Sequence, residues 1–451
     1  MTETLPGGLL LAFYGDDFTG STATLEALAF AGLKTALLFE VPDENLLARI
    51  SDCQAIGIAG LSRSKTPDWM EKNLAPVFER LKTVRPCLTH YKICSTFDSA
   101  PHVGSIGKAV ELGSGIFGND WTPVFTAVPG LKRWQVFGNL FAGAHGQTYR
   151  IDRHPVMMHH PVTPMKEADL RRHLGEQTSW KVGLVDVADL KSGRAEAKIA
   201  HETGEGARIL LVDGLDDETM AAAGRLMWEG RAARPFVAGS QGVEYALIAW
   251  WRQLGLLKAE YPTTSLTKVS RIAAVSGSCS PVTARQIDHA AACGFAAIAL
   301  NTHCVVDGRA WQGELDRAAQ LARKALSKGR DCLIYSAKGP GDPEVARLND
   351  AIASAGVSRE ETSLQIGSSL GVVLSSLAKD MKLQRIVVSG GDSSGQACTA
   401  MGLTAVTALA PLAPGAPLCR ANSRHAHLDG IEIALKGGQM GGEDFFVAAK
   451  G

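Results

Sequence analysis

The sequence predicts two α/β domains with mainly parallel, helix-covered sheets and an interdomain cleft. Three observations carry that reading. Short apolar runs alternate with segments of helical periodicity along the whole 451-residue chain, the pattern of parallel strands that each return through a helix. The runs repeatedly end in Gly, Ser, Thr or Asp, which build the loops at the carboxyl ends of such strands. The alternation lapses once, from Leu254 to Lys268 (LGLLKAEYPTTSLTK), which divides the chain into a first domain at 1–255 and a second at 268–451.

The first domain opens with Leu9 to Gly32, LLLAFYGDDFTGSTATLEALAFAG. Leu9 to Tyr14 reads as a buried strand, Gly15 breaks it, and the acids Asp16 and Asp17 follow. Thr19, Gly20 and Ser21 stand where a helix begins, Leu25, Leu28 and Ala29 keep helical spacing, and Gly32 is a stop. Thr35 to Val41 reads as the next strand and closes a β-loop-α-β unit. A capping role for Asp17 or Thr19 accounts for one residue of the loop but leaves the acid pair unexplained.

Next come a strand at Ala55 to Ala59, a helix at Asp68 to Lys82 and a strand at Cys87 to Ile93, which runs into Ser95-Thr96-Phe97-Asp98-Ser99. A helix from Gly104 and a strand at Val124 to Val128 follow, then a hairpin within Gln135 to Arg153. Gly113, Gly115 and Gly118 satisfy the dinucleotide-binding spacing, but a helical pattern precedes them and a strand pattern follows, the reverse of the required order. Further strands are expected at Val182 to Val185, Ala207 to Val212 and Phe236 to Ala238, with helices at Asp169 to Gln177, Asp216 to Ala233 and from Gly242.

The second domain starts with a strand at Arg271 to Val275, the polar loop Ser276 to Ser280, and a helix that Pro281 opens. Strands at Phe295 to Leu300, Cys332 to Ser336 and Arg385 to Val388 alternate with helices at Gly313 to Ser327 and Ser368 to Met381. The tail from Gly430 gives a strand, the loop Lys436 to Gly442 and a closing amphipathic segment.

Composition narrows the function. Apolar residues make up 45% and charged residues 20%, with 46 basic and 46 acidic side chains, so no basic face invites nucleic acid or anionic membrane. No apolar run nears the ~18 residues of a membrane helix, and the start MTETLPGG lacks a signal peptide's basic and apolar regions. A cytoplasmic enzyme is the expectation, with a homodimer as the default assembly. The nine cysteines form no C-x-x-C pair and read as free thiols. His154, His159 and His160 share a proline-rich loop without helical ligand spacing, so structural or substrate-contacting roles are favoured over a metal site.

Three glycine- or serine-rich loops, Ser276 to Ser280, Ser389 to Gly395 and Lys436 to Gly442, lie in the second domain. Glycine admits close backbone approach, and N–H groups at a helix start point at anions, so such loops converging on one sheet edge make a phosphate cradle. No P-loop or protein-kinase signature occurs. A phosphate-binding half joined to a half with paired acids and hydroxyls is what phosphoryl transfer to an alcohol requires.

Tyr14 to Thr22, YGDDFTGST, resembles the signature that opens the four-carbon acid sugar kinase family, ATP-dependent kinases of threonate, erythronate and 3-oxo-tetronate type acids. Lys92 to Gly107 is similar to a second segment of that family, and VVSGGDSSGQA and LDGIEIALKGGQMGGEDFF resemble its nucleotide-binding loops, all in the family's order. The resemblance implies a sugar-acid-binding N-terminal domain and an ATP-binding C-terminal domain working with Mg2+. It places Asp16, Asp17, Lys92, Ser95 and Thr96 in the acid site; Asp17 is the first choice of general base and Asp16 positions the acceptor or its metal, two roles that can be exchanged. It places Ser276, Ser278, Gly390, Gly391, Asp392, Ser393, Gly438 and Gly441 around ATP, and Lys92 on the substrate carboxylate. Where the family has an arginine, this chain has Phe97-Asp98 and the insert Ser99 to Val103, so an anion contact is lost or moved. Arg153 or His154 is the suggested replacement, and a branched 3-oxo-isoapionate type acid stands level with 3-oxo-tetronate as the acceptor. Two other classes stay open: a nicotinamide-dependent sugar-acid dehydrogenase, and a non-enzymatic sugar-acid-binding regulator.

Overall fold

Leu11–Gly15 is buried at all five positions, as expected of a strand flanked by parallel neighbours and covered by helices on both faces. The computed structural model describes residues 4–258 and 265–451, except for the side chain of Asp392. Residues 259–264, the middle of the Leu254–Lys268 boundary expected from sequence, lie outside the described residues. The chain separates into two units, one formed by Met1–Thr35 and Leu47–Tyr261, the other by Ala36–Leu46 and Pro262–Gly451.

In the first unit the strands lie in the order Ala55–Ala59, Leu11–Gly15, Leu88–Lys92, Phe236–Gly239, Thr122–Phe125, Ala207–Val212, Lys181–Val185, every pair parallel. From the Leu11–Gly15 strand the chain goes to one side, to Ala55–Ala59, and then crosses to the other, to Leu88–Lys92. That reversal is the place where open α/β sheets leave a crevice for ligands. Asp16 and Asp17 follow one strand at this point and Cys94 to Ser99 follow the other.

The second unit has parallel strands in the order Ala296–Ala299, Cys332–Tyr335, Ile272–Ser276, Arg385–Ser389, Glu432–Lys436. Ala416–Ser423 and Leu403–Ala413 continue this sheet antiparallel. Its own reversal lies between Ile272–Ser276 and Arg385–Ser389, where two of the glycine- and serine-rich loops begin. Ile272, Leu333, Val387, Ala434 and Phe446 are among the residues of its core.

The α/β class and the mainly parallel sheets agree with the sequence reading. Gly113 lies within the helix Ile106–Phe117 and Gly118 is its left-handed C-cap, so the rejected dinucleotide pattern is a helix end. Two elements differ from expectation. Thr35–Leu38 follows the first helix as expected, but its residues 36–38 also take an antiparallel partner that the sequence did not indicate, Leu403–Ala413. Periodicity shows that a segment is a strand but not which edge it joins. The hairpin Leu403–Ala413 and Ala416–Ser423 has no sequence-level counterpart, because Pro411 and Pro417 argue against strands there. Register shifts around Ala408 and Ala410 accommodate the irregularity.

Candidate functional site

Asp16 and Asp17 emerge from the end of Leu11–Gly15, and Asp17 caps the helix Phe18–Phe30 by accepting from the Gly20 N–H at 2.9 Å. The pair has a partner that the sequence did not reveal. Arg63, in the turn after the neighbouring strand Ala55–Ala59, donates through Nε and Nη2 to the two carboxylate oxygens of Asp16 at 3.0 and 2.7 Å. Its Nη1 donates to Asp17 Oδ2 at 2.9 Å, and Asp98 Oδ2 stands 4.0 Å from Nε. The Arg63 N–H also bonds the Asp16 carbonyl at 3.0 Å, so backbone and side chain hold the same residue. A planar fork suits two adjacent carboxylates, which a lysine could not bridge in this way.

Burial raises the Asp16 pKa, Arg63 pulls it back and Asp17 adds to the rise. Burial opposes the charge on Arg63 too, but the fields of Asp16 and Asp17 outweigh it and its pKa rises. Asp98 goes the other way: burial is overcome by Arg63 and by the Thr96 hydroxyl, which donates at 2.6 Å, and the pKa falls.

Lys92 ends its strand 2% exposed, and the one ion pair of its ammonium among the described residues is with Asp17 Oδ1, at 3.9 Å. A Cβ at Gly20 would overlap Lys92 Nζ, so the glycine in this helix turn admits the lysine to the helix N-terminus. A cation at the positive end of a helix is electrostatically unfavourable, and the capping Asp17 at 3.9 Å offsets this only in part. The arrangement can therefore receive an acceptor's carboxylate at Lys92 beside a carboxylate able to take a proton.

Of the expected acid-site residues, Asp16, Asp17 and Lys92 are thus brought together, and Thr96 joins through Asp98. Ser95 is half-buried in the same turn. Arg153 is exposed, and His154 turns into its own loop, its Nδ1 accepting from the Val156 and Met157 N–H groups at 3.2 Å. Neither is placed against the acid pair by these contacts; the guanidinium found there, beside Lys92, is that of Arg63. The signal that could have found it is the polar turn Leu61-Ser62-Arg63-Ser64 at the carboxyl end of a predicted strand.

In the second unit, register aligns Ser276 with Ser389 and Ser389 with Lys436 across three adjacent strand ends. Gly390 follows with φ +150°, and a Cβ there would overlap Ser393 Oγ. Gly391 is the N-cap of the helix Asp392–Ala400 and offers no side chain to its N–H groups, which leaves donors free for an anion. Ser278 Oγ accepts from the Ser280 N–H at 3.2 Å, and the Gly438 carbonyl accepts from the Thr283 hydroxyl at 2.9 Å, so two of the expected loops meet at the start of the helix Pro281–Ala292. Gly441 lies farther along, its carbonyl held by Gln286 Nε2 at 3.1 Å. The Asp392 side chain lies outside the described residues. Glycine turns, an uncapped helix start and buried hydroxyls fit a phosphate chain.

Comparison with known proteins matches each half of the chain to a domain model. A model of a sugar-binding N-terminal domain matches residues 11–247, and one of a nucleotide-binding C-terminal domain matches 273–446. The chain is 44% identical to the 3-oxo-isoapionate kinase of Paraburkholderia graminis, over 98% of this chain and 94% of that one. The chain belongs to the four-carbon acid sugar kinase family. It is accordingly a sugar-acid kinase, and its nucleotide-binding half implies use of ATP. A second member, the 3-oxo-tetronate kinase of Burkholderia multivorans, is 31% identical over 97% of this chain and 96% of its own. A crystal structure from Salmonella typhimurium LT2 matches with a TM-score of 0.77 at 24% identity, covering 97% of this chain and 98% of that chain, a likeness of fold alone. A Haemophilus influenzae protein matches with a TM-score of 0.72 at 25% identity, covering 97% and 99%. Nothing in these comparisons supports the dehydrogenase or the regulator. Among the described residues no helix is long and apolar enough to cross a membrane, and no group of three metal-ligating side chains occurs.

Proposed function

We propose that this kinase phosphorylates the terminal hydroxyl of a branched five-carbon 3-oxo acid of the 3-oxo-isoapionate type. The observation that carries the choice is the gap in likeness: 44% identity to a 3-oxo-isoapionate kinase against 31% to a 3-oxo-tetronate kinase, both over nearly the whole chain. Phe97-Asp98, in place of the family's arginine, supports an acceptor that differs from the simple four-carbon acids.

Lys92 binds the acceptor's carboxylate, since its ammonium is buried with a single long ion pair. Asp17 takes the proton of the attacking hydroxyl, because its side chain is 20% exposed whereas that of Asp16 is 5% exposed and clasped on both oxygens by Arg63. Asp16 sets the Arg63 fork, and the fork holds Asp17 in line. Ser276, Ser278, Gly390, Gly391, Asp392, Ser393, Gly438 and Gly441 line the ATP side, with backbone N–H groups and hydroxyls as donors. ATP supplies the phosphoryl group and Mg2+ neutralises part of its charge; such an ion is commonly held by phosphate oxygens, water and one or two carboxylates rather than by a dedicated protein cage. The expected setting is cytoplasmic, and the expected assembly a homodimer.

The test is an ADP-release assay over 3-oxo-isoapionate, 3-oxo-tetronate, threonate and erythronate. The highest kcat/KM is expected on the branched acid. A preference for 3-oxo-tetronate would reverse the substrate assignment and leave the kinase class in place.

A further inference from the structure

Lys436 is the feature of the second unit that the kinase reading leaves without a task. It ends the Glu432–Lys436 strand, is 1% exposed, and donates to the Gly437 carbonyl at 2.9 Å and to Thr283 Oγ1 at 3.2 Å. Two of its three N–H groups are thereby used, and none of its partners among the described residues is a carboxylate. Burial pushes its pKa down to about 8, and no described charged side chain acts on it; Thr283 faces it from the adjacent helix, Ser389 from the adjacent strand, and the Phe445 ring lies 5.7 Å from Nζ. A lysine is seldom buried without a counter-charge, because desolvation of the ammonium goes uncompensated.

Independent features beside it point to a missing anion. Ser389, its register partner, is 1% exposed, and its Oγ has no hydrogen-bond partner. The Gly390 N–H bonds the Lys436 carbonyl at 2.9 Å, which ties the lysine's strand end to the turn leading into the uncapped helix Asp392–Ala400. Thr283 belongs to the first turn of the helix Pro281–Ala292, so the ammonium sits at the positive end of that helix. An ammonium, two helix starts and an unsatisfied hydroxyl gather beside the sheet's reversal point.

We propose that Lys436 is the cation that binds the phosphate chain of ATP in this enzyme. The proposal rests on the kinase reading above and adds to it the residue that supplies the positive charge. Its role matches that of a point-charge lysine in other phosphate sites, with backbone N–H groups giving direction and the ammonium giving strength.

The test uses the full-length chain, the variant Lys436→Met and calorimetric binding of ATP and of adenosine. Lys436→Met is expected to weaken ATP binding at least about tenfold, the loss of a charge-assisted contact, and to leave adenosine binding unchanged. Its thermal midpoint should stay level or rise, since a buried unpaired charge has been removed. Wild-type protein should also take up a proton on binding ATP at pH 8.5, seen as a buffer-dependent binding enthalpy, because phosphate restores the charge on the lysine. Lys436→Gln serves if Lys436→Met does not fold. ATP binding equal to wild type in the folded variant, equal losses for ATP and adenosine, or no proton uptake by wild type would overturn the assignment while the kinase reading stands. If wild type binds neither ATP nor adenosine, both fall.

Discussion

Arg63 clasps Asp16 with two nitrogens, at 2.7 and 3.0 Å, and reaches Asp17 with a third at 2.9 Å. One guanidinium thereby orders both acids of the opening loop. Replacing Arg63 by Gln leaves Asp16 buried beside a second carboxylate without its cation, a loss of about 3 kcal/mol in stability. kcat/KM should fall at least about 100-fold because the Asp17 carboxylate loses its orientation. Denaturant unfolding and steady-state kinetics check both numbers, and an Asp16→Asn, Arg63→Gln double variant should recover part of the stability.

Asp17 both caps a helix and, in the proposed reaction, takes a proton. Asp17→Asn keeps the oxygen that accepts from Gly20, so the thermal midpoint should move little while kcat falls about 100-fold or more. Asp17→Ala also loses the cap, at a further cost of about 1 kcal/mol. Equal losses in kcat and in ATP affinity for the Asn variant would remove Asp17 from the base role.

Lys92 separates acceptor binding from nucleotide binding. Lys92→Met should raise the KM for the sugar acid at least about tenfold, as expected for a charge-assisted contact, and leave the Kd for ATP near the wild-type value. An unchanged acceptor KM would place the carboxylate elsewhere.

Asp213 sets a pH dependence of stability that is independent of catalysis. Its carboxyl is fully buried, accepts from the Gly138 N–H at 3.1 Å and from Gln135 Nε2 at 3.2 Å, and leaves Oδ2 unpartnered. Burial raises its pKa from 3.8 to about 7, with the Gly138 and Gln135 contacts opposing. The folded state therefore holds a proton that the unfolded state has lost, and this group's contribution to stability declines as pH rises from about 4 to 7. Asp213→Asn should melt higher than wild type at pH 8, and the gap should close as pH falls toward about 4. A variant that melts lower than wild type at pH 8 would show that the carboxylate is stabilised in the fold.

Apart from the hairpin Leu403–Ala413 and Ala416–Ser423 and some helices, the strands and the acid and glycine loops were legible in the sequence because each is a local property. An apolar run of a few residues ending in Gly-Asp-Asp is a strand with a polar end in whatever order the strands assemble, and the dinucleotide-like glycines are recognisable as a helix end from their neighbours alone. Family membership was legible for the same reason, since the motifs are contiguous stretches in a fixed order.

What the tertiary structure decided is which strand ends stand side by side. Arg63 comes 46 residues after Asp17, and only the pairing of Ala55–Ala59 with Leu11–Gly15 brings it to the acids. Strand order likewise sets Lys436 beside Ser389, and assigns residues 36–38 to the second unit's sheet. Burial is equally non-local. A lysine in a sequence is by default a solvated charge, and Lys92 and Lys436 become functional candidates only because the packed sheets and helices exclude water from them and, among the described residues, offer one a single distant carboxylate and the other none.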